Sequence, residues 1–391
     1  MTLSRRDFLT RTSLSAAAMP TLLTAGVAVA ANAAPSAAAA GDYDLRMGFP
    51  ADAIRMGFNE NPLGPSPKAI EGAIAGSRNA NRYALGGFLR PFLAKHHGID
   101  PEWVLPGNGS TEVLTNTPIA FMRGGGNVVT PLETWDGMIS IADAMGVTVK
   151  RVALLKDQGY IYDVPGLLGA IDNDTRLAMV ISPNNPTGTT MGYDDLKKIA
   201  DALPKKGILV CDHAYQDYAG DGKTGLDLLK EGYKNVLVTR TFSKAHALAG
   251  LRCGYGMAHP DILKAIANFG CGAGSTNMAA FGAVEGSLSD PAHLERSKVF
   301  VAKTRAYYND QVKKLGLEMV AGLSPFVLIR PGDRGVKAVQ MELRKRKIFI
   351  TDGAGWKLPQ FMRVSFGTEA QNQRFFSELT SILQATKLTD S

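Results

Sequence analysis

Four short apolar runs constrain the fold of this chain more than any other feature. Residues 127–130, 177–182, 208–212 and 236–241 are rich in Val, Ile and Leu and are bounded by Gly, Pro, Asn or Asp. Segments of helical length separate most of them. Runs without polar alternation suit strands covered on both faces, which predicts an α/β fold around a mostly parallel central sheet. Residues 291–315 carry unbroken helical periodicity; strand-like pieces follow at 326–330, 347–351 and 361–366, and a last helix starts near Glu369. The chain's 391 residues suffice for one large and one smaller domain. The expected division is a large domain over 81–285, a small α+β domain over 286–391, and a segment 41–80 packing back onto the small one.

Residues 1–40 read differently. Ser4-Arg5-Arg6-Asp7-Phe8-Leu9 precedes an Ala-rich apolar stretch over 14–31, with A-x-A steps ending near Ala30 or Ala33. This is the layout of an export signal, and its paired arginines resemble the twin-arginine (Tat) type. Pro20, Thr24 and Gly26 break the apolar stretch, so cleavage is expected rather than a stable membrane span. The working protein then starts near Gly41, in the periplasm or otherwise outside the cytoplasm.

The net charge of +7 is diffuse apart from Arg344-Lys345-Arg346-Lys347 on an amphipathic helix. No aromatic platform or DNA-binding motif accompanies it, which argues for a solvated face and against a nucleic-acid partner. Cys211, Cys253 and Cys271 have neither metal-ligand nor redox spacing and are expected as buried free thiols. The histidines form no ligand pattern, no metal site is expected, and His96-His97 reads as surface.

In α/β sheets functional groups collect where strands end. Here Val210-Cys211-Asp212-His213-Ala214-Tyr215 puts an acid at a strand end, and Ser182-Pro183-Asn184-Asn185-Pro186-Thr187-Gly188 puts amides in a Pro-Gly turn. Thr241-Phe242-Ser243-Lys244-Ala245 brings a hydroxyl and an amine after another strand. Gly107-Asn108-Gly109-Ser110-Thr111-Glu112 opens a helix from a Gly-rich turn. Singly, a strand-end Asp is usually a helix cap and a lone Lys is surface.

Together, and with Phe58-Asn59-Glu60-Asn61-Pro62-Leu63-Gly64-Pro65, Ser243-Lys244-Ala245-His246-Ala247-Leu248-Ala249-Gly250-Leu251-Arg252 and Arg363-Val364-Ser365-Phe366-Gly367, they resemble the fold-type I aminotransferases that use pyridoxal 5'-phosphate (PLP). Within these the chain most resembles the histidinol-phosphate aminotransferase family. The resemblance implies that Lys244 holds PLP as a Schiff base and moves the substrate proton, while Asp212 pairs with the protonated ring nitrogen. Asn185 and Tyr215 would bond the ring's phenolic oxygen, and Trp135 would stack on the ring. Gly109, Ser110, Thr111, Ser243 and Arg252 would bind the phosphate. Tyr83 would reach that phosphate in a neighbouring subunit of a homodimer. Arg363 would grip the substrate's anionic group. The implied reaction moves an amino group between an amino acid, or an amino-alcohol phosphate, and a 2-oxo acid.

The chain departs from the family pattern at several positions. Ile350-Thr351-Asp352 stands where histidinol-phosphate enzymes carry another arginine, and Ser324-Pro325-Phe326 replaces a usual Asn. His213 stands where Glu is common and His246 where an aromatic is common. Ala84-Leu85-Gly86-Gly87 replaces Pro and acidic residues after Tyr83. The same fold hosts PLP lyases and decarboxylases, and a non-catalytic PLP-binding protein is a further alternative.

Overall fold

The computed structural model describes residues 48–50, 52–84, 89–272 and 275–387; the expected export signal lies outside them. Its centre is a seven-stranded sheet in the order β2 (Val104–Asn108), β8 (Cys253–Ala258), β7 (Val236–Thr241), β6 (Ile208–Asp212), β5 (Thr175–Ile181), β3 (Asn127–Pro131), β4 (Thr148–Val152). The strands from β7 to β4 pair in parallel; β8 alone runs against its neighbours β7 and β2. The mostly parallel α/β sheet is thus as the apolar runs predict.

Alternate residues of these strands feed two separate cores. In β5, Leu177, Met179 and Ile181 join Val113 and Leu114 of the helix Ser110–Phe121 on one face. Ala178 and Val180 join Leu196 and Ile199 of the helix Tyr193–Ala202 on the other. A strand covered on both faces needs no polar alternation, which explains why these runs were conspicuous.

Four neighbouring parallel strands, β3, β5, β6 and β7, end at one edge of the sheet, and the loop after each carries a candidate residue: Trp135, Asn185, Tyr215 and Lys244. Because β8 is reversed, it begins at that same edge, directly after Arg252. β2 runs with β7 and also ends there, leading into Gly109. Topology alone gathers these residues.

The C-terminal part has a four-stranded antiparallel sheet in the order β12 (Thr351–Asp352), β13 (Met362–Ser365), β10 (Phe326–Arg330), β9 (Glu318–Ala321). It packs with the long helix Pro291–Lys314 and the last helix Glu369–Lys387 around Tyr308, Phe326, Phe366, Phe375 and Phe376. The run expected over 347–351 is divided between β11 (Ile348–Phe349) and β12, because β11 turns to pair in parallel with β1 (Ile54–Arg55). The helix Pro67–Ser77, by contrast, packs on Met278–Leu288. A Cβ on Gly72 would lie 2.0 Å from the Gly282 carbonyl oxygen, so the two backbones touch.

Three expectations need correction. The basic run is only half helical: the helix Val336–Lys345 ends before Arg346 and Lys347. Three of its four charges are paired, Lys345 and Arg346 with Glu342, Arg346 also with Glu378, and Lys347 with Asp52, while Arg344 lies over the Phe349 ring. Cys271 is exposed in a loop, whereas Cys211 and Cys253 lie on β6 and β8 within the apolar core. His97 is half-buried and bonds the Tyr255 hydroxyl at 2.6 Å; burial, then the nearby Arg240 charge, lowers its pKa to about 3. Only His96 of that pair is exposed.

Candidate active site

At the sheet edge lies a cleft of about 390 Å³, lined by Ser110, Thr111, Trp135, Asn185, Asp212, Tyr215, Ser243, Lys244, Arg252 and Arg363. Gly109 borders it through its contact with Arg252. Of the residues singled out in the sequence, Tyr83 does not line the cleft and is 88% exposed.

Asp212 closes β6, buried beneath the cleft. Its Oδ1 accepts from the Ala214 amide at 3.1 Å and the Thr239 hydroxyl at 3.0 Å, whereas Oδ2 has no protein donor among the described residues. Burial pushes the carboxyl up to about 6 despite those two bonds. A desolvated carboxylate with one oxygen unpaired is matched by a ligand N–H⁺. Behind it His213 is locked: Nε2 accepts from the Gly225 amide, so Nδ1 carries the proton and donates to the Ser182 carbonyl at 2.8 Å. Burial lowers its pKa to about 4, which keeps it neutral.

Lys244 rises from the loop after β7, and its Nζ donates to the Phe58 carbonyl at 3.2 Å. Burial, then the Arg363 charge, lowers the ammonium to about 8. A measurable fraction of free amine therefore exists at neutral pH, as a nucleophilic lysine requires. Tyr215 lies beside it, with the amine 5.8 Å from the ring centroid. The Tyr215 hydroxyl accepts from Asn59 Nδ2 at 2.9 Å, and burial raises its pKa to about 12.

The helix Ser110–Phe121 starts at the cleft with no side-chain cap. Its first amides have no intrahelical acceptor and carry the positive end of the helix dipole, which makes an anion site. Gly109 has φ +74°, and a Cβ there would fall 2.4 Å from Arg252 Nη2. Only glycine combines that backbone with that approach. Arg252 Nη1 also reaches Ser243 Oγ at 3.4 Å and the Ala249 carbonyl at 3.0 Å. The opposite wall is set by Asn184, whose side chain bonds Thr134 Oγ1 at 2.7 Å and the Glu133 carbonyl at 2.9 Å. This ties the Trp135 loop to the Asn185 turn. Gly137 makes room for the indole, since a Cβ there would meet the Trp135 ring at 2.0 Å.

Arg363, on β13, is only 6% exposed. Nη1 donates to Asn185 Oδ1 at 2.7 Å and Nη2 to the Gly57 carbonyl. Its guanidinium carbon lies 4.6 Å from the Trp356 ring centroid and 5.5 Å from that of Phe326. Burial lowers its pKa to about 10, still charged at neutral pH.

An anion pocket at a helix start, a carboxylate awaiting N–H⁺ and a desolvated amine in one cleft fit a phosphorylated pyridine aldehyde, the group the sequence resemblance implies. Asn59, Thr239 and Trp356 belong to the same site and escaped the sequence reading. Asn59 stood within a quoted motif, and its φ of +56° suits Asn better than most residues; the other two carried no local signal.

The chain matches the model of the family "Aminotransferase class I and II" over residues 51–379. It is 33% identical to the histidinol-phosphate aminotransferase of Symbiobacterium thermophilum over 336 residues, covering 85% of this chain and 91% of that one. It is 34% identical to histidinol-phosphate aminotransferase 2 of Pseudomonas aeruginosa over 341 residues, covering 85% and 90%. The crystal structure of histidinol-phosphate aminotransferase from Sinorhizobium meliloti in complex with pyridoxal-5'-phosphate superposes with a TM-score of 0.79 at 25% identity, covering 85% and 92%. With a family match over most of its length and the site geometry in agreement, the chain belongs to the class I and II aminotransferases.

Proposed function

We propose that this protein is a PLP-dependent aminotransferase, of the histidinol-phosphate aminotransferase kind, that passes an amino group between an amino acid and a 2-oxo acid. The observation that carries the reading is the pairing, in one cleft, of the half-satisfied Asp212 carboxylate with the desolvated Lys244 amine. When bound, PLP supplies the aldehyde carbon that receives the amino group and the protonated ring that stores the electrons left at substrate Cα.

The chain's residues do the rest. Asp212 would keep the ring nitrogen protonated through Oδ2. The Ser110 and Thr111 amides, Ser243 and Arg252 would hold the phosphate, and Trp135 would stand against the ring. Asn185 and Tyr215 would donate to the phenolic oxygen. Lys244 Nζ would take the proton from substrate Cα, and Arg363 would orient the substrate through its anion.

We propose further that the enzyme works as a homodimer, exported folded through its twin-arginine signal. The exposure of Tyr83 supports the dimer reading, in which its side chain would reach another copy's cleft rather than its own. Arg5-Arg6 and the apolar stretch behind them support export. Replacing both arginines with Lys is expected to leave the protein in the cytoplasm; unchanged export would remove the signal reading. For dimerisation, sedimentation at micromolar concentration should give two chains per particle, and a monomer with full activity would contradict it.

The reaction is tested by absorbance. The PLP-loaded protein mixed with an amino donor should lose its near-visible band as the amino group moves to the cofactor, and a 2-oxo acid should restore it. Release of ammonia or CO₂ without amino transfer would point instead to the lyase or decarboxylase chemistry that this fold also supports.

A further inference from the structure

We infer that His213 is a positioning residue for Asn185: its imidazole replaces a missing rung of the β5–β6 ladder and so fixes the turn that presents Asn185 to the cleft. The ladder stands on its own geometry; that Asn185 meets the cofactor's phenolic oxygen rests on the proposed PLP reading.

β5 and β6 pair in parallel up to Ile181 and Asp212, and the Ser182 amide still donates to the Asp212 carbonyl at 3.0 Å. In a continuing parallel ladder the next bond would run from the Ala214 amide to the Ser182 carbonyl. That amide is turned instead to Asp212 Oδ1 at 3.1 Å, where it serves the carboxylate. The carbonyl of the buried Ser182 thereby loses its backbone donor, a costly state unless another group supplies one. His213 Nδ1 supplies it at 2.8 Å. One side chain therefore compensates for the amide that Asp212 takes. Ser182 is then held through its amide, its carbonyl and its hydroxyl, which accepts from the Met191 amide at 3.0 Å.

The far side of the ring is equally occupied. Nε2 accepts at 3.2 Å from the amide of Gly225, which opens the helix Gly225–Lys230 and so has no acceptor within it. A Cβ on Gly225 would stand 3.2 Å from Nε2 and 2.9 Å from Cys211 Sγ, so the helix start presses on the imidazole. One side needs a donor and the other an acceptor. A neutral imidazole or a primary amide meets both, whereas a carboxylate cannot donate and an apolar side chain does neither. Beyond Ser182 the turn closes on itself, the Asn184 amide donating to the Thr189 carbonyl at 2.7 Å and the Gly188 amide to the Asn184 carbonyl at 2.8 Å. A turn so closed follows Ser182, and Asn185, whose Oδ1 accepts from Arg363, follows the turn.

The test reads the near-visible absorbance of the PLP-loaded protein as a function of pH. By donating to the phenolic oxygen, Asn185 Nδ2 would favour its anionic form and lower the pH at which the band titrates. His213→Leu is expected to raise that midpoint by roughly half to one pH unit, while His213→Gln, which can both donate and accept, should stay near the wild type. In an Asn185→Ala background the difference between the two histidine variants should vanish, because it has nothing left to act through. A Leu variant with a lower Tm but an unmoved midpoint, or a shift that persists without Asn185, would overturn the inference. The wild-type protein gives a second reading that needs no variant to fold. Nitrogen-15 NMR of His213 in the cofactor-free chain at pH ~7 should show the neutral Nδ1–H tautomer, and an imidazolium or an Nε2–H form would overturn the inference as well. Failure of the proposed function looks different. No amino transfer from any donor, with the coupling to Asn185 intact, would sink the transaminase reading alone; a protein that takes up no PLP would remove the PLP reading and this inference with it.

Discussion

The guanidinium of Arg363 and the side-chain amide of Asn185 are joined by a 2.7 Å hydrogen bond from Nη1 to Oδ1. The bond connects β13 of the antiparallel sheet to the turn after β5 of the central sheet. It leaves Asn185 Nδ2 available to a ligand in the cleft, so on the proposed reading one residue would both align the substrate's anchor and reach the cofactor's ring. Positioning of substrate and cofactor would then be mechanically shared.

Arg363→Lys keeps the charge but loses the fork and the double anchoring to Asn185 and Gly57. The expected result is a fall in kcat/KM of about 10²-fold, mostly in KM, since truncating a buried charge-assisted pair costs on the order of 2–5 kcal/mol. Most PLP binding should be retained, because the phosphate pocket around Arg252 is untouched and only the Asn185 contact loses its anchor. Equilibrium dialysis alongside steady-state kinetics checks both halves.

Asp212→Asn should lower the transamination rate by roughly 10²–10⁴-fold, measured as single-turnover conversion with a saturating donor. The same change should stabilise the cofactor-free protein at neutral pH. Burial raises the folded-state pKa of Asp212 to about 6 from an ordinary 3.8, so the folded chain binds this proton more tightly than the unfolded one. The resulting stability is fully present below about pH 4 and is lost as pH rises through about 6. Asn carries no such ionisation, and urea denaturation of the cofactor-free proteins at pH ~8 should favour the variant by about 1–3 kcal/mol. A destabilised variant would refute the desolvation account.

Capture of PLP by the cofactor-free protein requires the neutral amine of Lys244. With the ammonium lowered to about 8 by burial and then by Arg363, the capture rate should climb about tenfold per pH unit and level off above about 8. Arg363→Met removes the nearby positive charge and should move that inflection upward. Stopped-flow absorbance across the range gives both curves.

Gly72→Ala places a methyl 2.0 Å from the Gly282 carbonyl, where two helix backbones meet and neither side has a flexible end to yield. Overpacking of this kind costs about 1–3 kcal/mol. The helix follows directly on the segment bearing Asn59 and Asn61, which bond Tyr215, Ala245 and Ser297. A lower Tm should therefore come with weaker PLP retention, measured by thermal melts with and without added cofactor.

The central strands were legible because burial on both faces leaves apolar runs within β5 (177–181), β6 (208–211) and β7 (236–238). β4 escaped: as an edge strand it is partly exposed, and Lys150 and Arg151 interrupt its apolar character. β8 escaped because its glycines, Gly254 and Gly256, face the helix Ser110–Phe121, where a side chain would collide with Ser110 or Val113. Within the site, residues fixed by local backbone needs could be read directly, among them Gly109 at a helix start and Asp212 at a strand end. Thr239 and Trp356 could not, because their roles come from sheet register and the return of a distant segment. Asn59 lies between these cases, its backbone special but its partner Tyr215 distant in sequence.

The central claim is that Lys244 carries the cofactor covalently. Reducing the PLP-loaded protein with borohydride and mapping the modified peptide by mass spectrometry tests it most directly. The account predicts one phosphopyridoxyl group per chain, on Lys244, and none after Lys244→Ala. Modification at another lysine, or a Lys244→Ala protein that still traps the cofactor stoichiometrically, would contradict it.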